Sequence, residues 1–188
     1  MKKTILIIAL IVIIPSLIFL LLKISGNSIL PSLLGTDRGI INNGITTKEK
    51  LLNKKVPYFD ILSLDSKRIK LGDYVDKPLV LIFWTTWNVD GVNQLKIVDD
   101  YYSTNKNNVA SIVMINSQED SSVVKSFLRR GGYNVTIALD TNGSSTEDFN
   151  IKSLPTSFFI DKDGIIREIY SGVLSKTMLM SKIEPLIE

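Results

Sequence analysis

From residue 4 to residue 22 every position is apolar except Thr4 and Ser16, with Pro15 inside the run. At 1.5 Å per residue this helical stretch reaches about 28 Å, close to the hydrocarbon thickness of a bilayer. Lys2 and Lys3 precede it and Lys23 closes it, so residues 4–23 read as a single transmembrane signal anchor with residues 1–3 in the cytoplasm and the remainder extracytoplasmic. The competing reading is a cleaved secretory leader, but Ser25-Gly26 is the only small pair and no Ala-x-Ala site follows. Residues 24–53 hold no sustained period and are punctuated by Gly26, Pro31, Gly35, Gly39 and Gly44. They read as a flexible tether with a coil-like reach of roughly 25 Å.

Beyond the tether, residues 54–188 alternate strand-like and helix-like stretches. Val56–Leu62 and Arg68–Leu71 predict a short outer strand pair around the turn Asp65-Ser66-Lys67, with Pro57 suited to an edge. Leu79–Trp84 is a continuous apolar run, the pattern of a central strand buried on both faces. Val92, Leu95, Ile97, Val98, Tyr101 and Tyr102 then recur at helical spacing, with Asp90 as an acceptable cap. A strand over 109–115, a helix over 121–130 stopped by Gly131-Gly132 and a strand over 135–139 follow, an order that predicts parallel strands joined by crossover helices. A short helix near 146–149 leads to Leu154-Pro155-Thr156. The strands Ser157–Ile160 and Ile165–Tyr170 flank the turn Asp161-Lys162-Asp163-Gly164, and a last helix covers about 175–187. The predicted class is α/β, a central mixed sheet flanked by helices with an extra N-terminal strand pair.

The net charge of +3 does not change this picture once it is located. The excess lies before residue 48, where Lys2, Lys3, Lys23 and Arg38 face Asp37 alone. That leaves 18 of the 22 basic and 18 of the 19 acidic residues to balance in the domain, so no global field draws a nucleic acid. Lys48, Lys50, Lys54 and Lys55 form a local cluster, read as a solvated linker or helix face; the alternative is contact with anionic lipid head groups.

The chain has no cysteine and no histidine. Thiol–disulfide exchange needs a thiolate to attack a disulfide sulfur, so covalent redox chemistry by this chain alone is excluded, as is peroxidase chemistry through a thiol. Ser-His-Asp and Cys-His sites and histidine-held metals go with them. Asp161-Lys162-Asp163-Gly164 is a hairpin turn by its setting. Asp140–Ser144 lacks the offsets of a calcium loop, and Asp99-Asp100 sits on a solvated helix face. No metal and no cofactor is expected.

Two blocks carry a family resemblance: Phe83-Trp84-Thr85-Thr86-Trp87 at the end of the central strand, and Leu154-Pro155-Thr156-Ser157-Phe158-Phe159-Ile160-Asp161-Lys162-Asp163-Gly164. Together with Ala138-Leu139-Asp140 they resemble the TlpA/ResA-like thioredoxin family over residues 54 to the end. The resemblance implies a thioredoxin-like fold, with the family's nucleophilic cysteine falling on Asn88, its resolving cysteine on Gly91 and its proton-handling glutamate on Gln94. None of the three positions carries the family's reactive group. It also implies that Pro155 is the family's cis-proline, beside which relatives pair with an extended segment of a partner.

The leading expectation is a redox-inactive, membrane-tethered domain that binds a protein segment through Trp84, Trp87, Asn88, Val89, Asp90, Leu154, Pro155 and Thr156. Structural roles stand beside it: Trp84 as core, Trp87 packed under its loop, Pro155 as a turn. The alternative function is a scaffold module of an envelope or redox-relay assembly. A small ligand such as haem or a lipid ranks last, since no histidine or cysteine could ligate iron.

Overall fold

The computed structural model describes residues 46–74, 76–105, 110–133 and 135–187. The anchor and most of the tether therefore lie outside the described residues, and among these no helix is long and apolar enough to cross a membrane. Seven strands form one mixed sheet in the order β2-β1-β5-β4-β3-β6-β7. They are β1 (Asp60–Ser63), β2 (Arg68–Lys70), β3 (Leu79–Trp84), β4 (Ser111–Ser117), β5 (Thr136–Asp140), β6 (Thr156–Ile160) and β7 (Ile166–Ser171). The helices are α1 (Thr47–Leu51), α2 (Val89–Thr104), α3 (Ser121–Gly131), α4 (Ser144–Asp148) and α5 (Lys176–Ile183). β3, β4 and β5 run parallel, joined through α2 and α3 as the alternating pattern predicts, while β6 runs antiparallel to β3.

All six residues of β3 are buried, because the strand lies between β4 and β6 and is covered on both faces. Val80, Ile82 and Trp84 join Leu95, Val98 and Tyr101 of α2, Val124 and Leu128 of α3, and Leu179 and Ile183 of α5. Leu79, Leu81 and Phe83 belong to the opposite core with Phe59, Phe149 and Phe158. There the rings of Phe83, Phe149 and Phe158 meet pairwise at centroid distances of 5.1, 5.8 and 5.1 Å. The tilted and edge-on arrangements match the ring quadrupoles. The register sets Trp84 opposite Asn116 of β4 and Phe83 opposite Thr156 of β6. The loop leaving β3 consequently emerges between the β4–α3 connection and the segment leading into β6.

Several boundaries differ from the expectation. β1 starts only at Asp60, where pairing with Lys70 begins; ahead of it the Val56 N–H donates instead to the Gly164 carbonyl, so Pro57 lies outside the strand. β2 ends at Lys70, and Leu71–Tyr74 is a 3-10 turn. Val109 lies outside the described residues, and β4 begins at Ser111. The terminal helix changes to a 3-10 turn over Glu184–Leu186, where Pro185 has no N–H to continue the ladder. The α3 stop is as expected, with Gly132 in the left-handed conformation as its C-cap.

The folded unit also begins before residue 54. Thr46 and Glu49 form a reciprocal capping box at the start of α1, the Thr47 hydroxyl donates to the Asn150 carbonyl at 2.5 Å, and Leu51 is buried in the second core. The reading of residues 47–53 as tether is corrected accordingly: an isolated five-residue helix is too short to hold itself, and it persists because Leu51 docks. Leu51→Ala should therefore cost about 2–4 kcal/mol in urea unfolding, the usual range for a buried leucine. A change below about 0.5 kcal/mol, typical of an exposed site, would show that α1 is not part of the fold.

Candidate functional site

The loop Thr85–Asn88 is fixed at both ends by side chains. The Glu119 carboxylate accepts from the Thr86 N–H at 2.6 Å, from the Thr86 hydroxyl at 2.5 Å and from the Asn116 amide at 2.7 Å. At the other end Asn88, rather than the expected Asp90, is the N-cap of α2. Its Oδ1 accepts from the N–H groups of Asp90 at 2.9 Å and Gly91 at 3.4 Å. An extended Asn88 (φ −91°, ψ 118°) places this oxygen over the helix N-terminus, and Asp90 instead sits in the first turn, where its charge suits the helix dipole.

The same Asn88 side chain reaches across to the second block. Its Nδ2 donates to the Leu154 carbonyl at 2.9 Å, joining the start of α2 to the Leu154-Pro155 segment over 66 positions of sequence. The Leu154–Pro155 peptide is cis, and the Pro155 carbonyl accepts from the Gly172 N–H at 2.8 Å. Between these segments Trp87 and Val89 stand in solvent, 71% and 73% exposed, with Leu154 half-buried beside the Asn88 amide. Asp90 is exposed as well.

The structure divides the expected contact set. Trp87, Asn88, Val89, Asp90 and Leu154 come together at the surface. Trp84 does not join them: it is 0% exposed and tilted against Phe127 at a centroid distance of 6.2 Å, because even-numbered β3 residues face the helical core. Thr156 is also turned inward, 2% exposed, its hydroxyl donating to the Ser153 carbonyl at 2.7 Å. Pro155 is buried, so only the backbone around it borders the surface. Trp84 and Thr156 are corrected from partner contacts to framework.

Gly91 and Gln94 have structural uses of their own. A Cβ added at Gly91 would stand 2.9 Å from the Thr85 carbonyl oxygen and 3.3 Å from the Thr85 nitrogen, so loop and helix meet at a distance only glycine allows. Gln94 is 0% exposed; its Oε1 accepts from the Leu174 N–H at 2.7 Å and ties α2 to the connection between β7 and α5. Its Nε2 has no partner, an unpaired group normally disfavoured in a core. Among the described residues no group of three or more acidic, histidine or cysteine side chains converges to hold a metal. Glu119 escaped the sequence reading, although the parallel β3–β4 pairing brings the carboxyl ends of both strands to one edge and so places residue 119 beside the Thr86 loop.

The AhpC/TSA family model matches residues 52–169, which is more than half of the chain and contains the whole site. The chain belongs to the AhpC/TSA family. It is 30% identical over 144 residues to the thiol-disulfide oxidoreductase ResA of Bacillus thuringiensis subsp. konkukian, covering 74% of this chain and 83% of the relative. It is 28% identical to ResA of Bacillus subtilis, covering 69% and 74%. Among solved structures, a thioredoxin-family thiol:disulfide interchange protein from Chlorobium tepidum superposes with a TM-score of 0.64 at 21% identity, covering 71% of this chain and 96% of that one. StoA from Bacillus subtilis gives 0.61 at 21% identity, covering 67% and 96%. These likenesses establish a thioredoxin-like fold for this AhpC/TSA chain, as the two sequence blocks implied.

Two substitutions test the site geometry. Gly91→Ala drives a methyl group into backbone, an overpacking cost of about 1–3 kcal/mol that exceeds the roughly 1 kcal/mol favouring alanine over glycine in a helix. It should lower the melting temperature, and an unchanged or raised one would show that the loop yields freely. Asn88→Ala removes the cap and the amide to Leu154 together and should cost about 1–2 kcal/mol in denaturant unfolding, whereas Asn88→Asp, which keeps the cap, should recover part of that loss. Equal losses in the two variants would overturn the capping role.

Proposed function

We propose that this chain is a membrane-anchored, extracytoplasmic protein that keeps the fold of thiol-disulfide oxidoreductases without thiol chemistry of its own, and that it holds an extended protein segment non-covalently beside Leu154. One observation carries the reading. Trp87 and Val89 are exposed at a rigidly held loop, and the Leu154 N–H beside them donates to no acceptor among the described residues. Large exposed apolar groups on a fixed frame suit recognition, because little freedom is lost on binding. A backbone N–H without an acceptor among the described residues suits pairing with an extended chain. The absence of cysteine removes the covalent step of the ResA relatives, and the Gly91 contact with Thr85 fills the space a side chain there would need. The anchor over residues 4–23 is supported by its run, apolar but for Thr4 and Ser16, and by its flanking lysines.

The scaffold reading is favoured by a different observation. The Leu154 carbonyl, the other half of a strand-pairing edge, is already engaged by Asn88. Photo-crosslinking in native membranes separates the two readings, with one probe at Val89 and a control at the exposed Arg129 of α3. A protein captured from Val89 and not from Arg129 is the expected result; equal capture, or capture from Arg129 alone, would favour the scaffold. In parallel the purified chain should reduce insulin with dithiothreitol no faster than dithiothreitol alone, and any acceleration would sink the redox-inactive reading.

A further inference from the structure

The charges that balance over the whole domain are not evenly placed in the structure. The loop after β3 with the first turns of α2 is hydrogen-bonded to the β4–α3 connection through Glu119 and to the segment 140–157 through Leu154, which in turn joins residues 171–175 through Pro155 and Gly172. Asp90 and Val89 are neighbours; Glu119 is bonded to Thr86; Asp120 follows it. Asp140 ends β5, the next strand along, and Glu147 and Asp148 close α4. Against these six carboxylates the same segments carry one cation, the exposed Lys152. Their formal charge is −5, counted from six acids and one lysine.

These acids are compensated by dipoles rather than by cations. Glu119 receives only N–H and O–H donors from Thr86 and Asn116. Asp140 receives the Ser145 N–H and both donors of Thr146. Hydrogen bonds from Ser122 hold the Asp120 carboxyl below its ordinary value, so it is ionised at neutral pH. The ion pairs among the described residues involve Asp60, Asp100, Asp161 and Glu168, none of them in this set. The segments joined to the loop of Trp87 and Val89 thus carry a net negative charge that no ion pair among the described residues cancels.

On this basis, and resting on the proposed function above, we infer that the segment held beside Leu154 is cationic, with apolar and Lys or Arg side chains in alternation. Successive side chains of an extended chain point to opposite sides, which lets one set cover Trp87 and Val89 while the other is directed to the exposed Asp90 and Asp120. Arginine fits doubly, since its guanidinium also stacks on an exposed indole.

The test uses the full chain in an uncharged detergent and three short acetylated, amidated peptides that alternate valine with arginine, with glutamine or with glutamate. The readout is the Trp87 indole N–H resonance, assigned with Trp87→Phe; the buried Trp84 indole serves as internal control. The arginine peptide should shift the Trp87 signal with an affinity about tenfold above that of the glutamine peptide and further above the glutamate peptide. This gap should shrink in about 0.5 M salt, where screening falls to roughly 4 Å. Asp90→Asn and Asp120→Asn, the latter still able to cap α3, should each weaken the arginine peptide by about threefold. If all three peptides move Trp87 equally, the groove stands and the cationic preference is overturned. If none moves Trp87, the groove reading itself fails and the preference with it.

Discussion

One asparagine side chain joins the two halves of this site. Asn88 places its carbonyl oxygen over the first amides of α2 and its amide nitrogen on the Leu154 carbonyl. The first contact satisfies donors that every helix start leaves open; the second fixes the distance between a strand–helix junction and a segment that arrives from the far side of β3. A hydrophobic side chain would do neither, and an aspartate would do only the first, having no hydrogen to offer Leu154. Asn88 stands between the exposed Trp87 and Val89, so the spacing of the candidate site from the Leu154–Pro155 backbone depends on this one residue.

The loss of the thiol pair is accommodated by contacts and not by a gap. Where the family resemblance places a resolving cysteine, Gly91 brings the helix backbone within reach of Thr85, and where it places a proton-handling glutamate, Gln94 holds the Leu174 amide. A carboxylate at position 94 would be an uncompensated buried charge unless it titrated with its chemistry; an amide makes the same hydrogen bond without charge. Positions 91 and 94 are therefore taken up by contacts of their own, and a side chain at position 91 would first have to displace backbone.

Most of the framework was legible in the sequence because it is written in periods and punctuation. The six-residue apolar run of β3, the Gly131-Gly132 stop and the Asp161–Gly164 hairpin all fell where their chemistry put them. The errors arose where tertiary contacts decide. Leu51 recruits a short helix from what reads as tether, and nothing local announces that its pocket exists. Asn88 outcompetes Asp90 as the cap because the loop geometry, set by Glu119 on another strand end, brings its oxygen over the helix. Trp84 and Trp87 are three residues apart and chemically identical, yet one is core and one is surface. The strand alternation ends at Trp84, and only the turn that follows determines where Trp87 points.

The same limit explains the charge. Composition gives a balanced domain, and the sequence order scatters acids and bases along it. Parallel pairing of β3, β4 and β5 gathers the carboxyl ends of three strands at one edge of the sheet, and with them Asp90, Glu119, Asp120 and Asp140. Helix starts lie at that edge too, and acids are favoured in their first turns and caps for reasons of stability alone. Asp120 caps α3 and Asp140 supports α4, so part of this field is a by-product of the fold. Asp90 adds to it without a capping role, and Glu119 holds a loop by accepting neutral donors only, which leaves its charge uncancelled. An exposed tryptophan beside such an edge presents an apolar face with carboxylates on the adjoining segments, and a partner of the kind proposed would have to answer both.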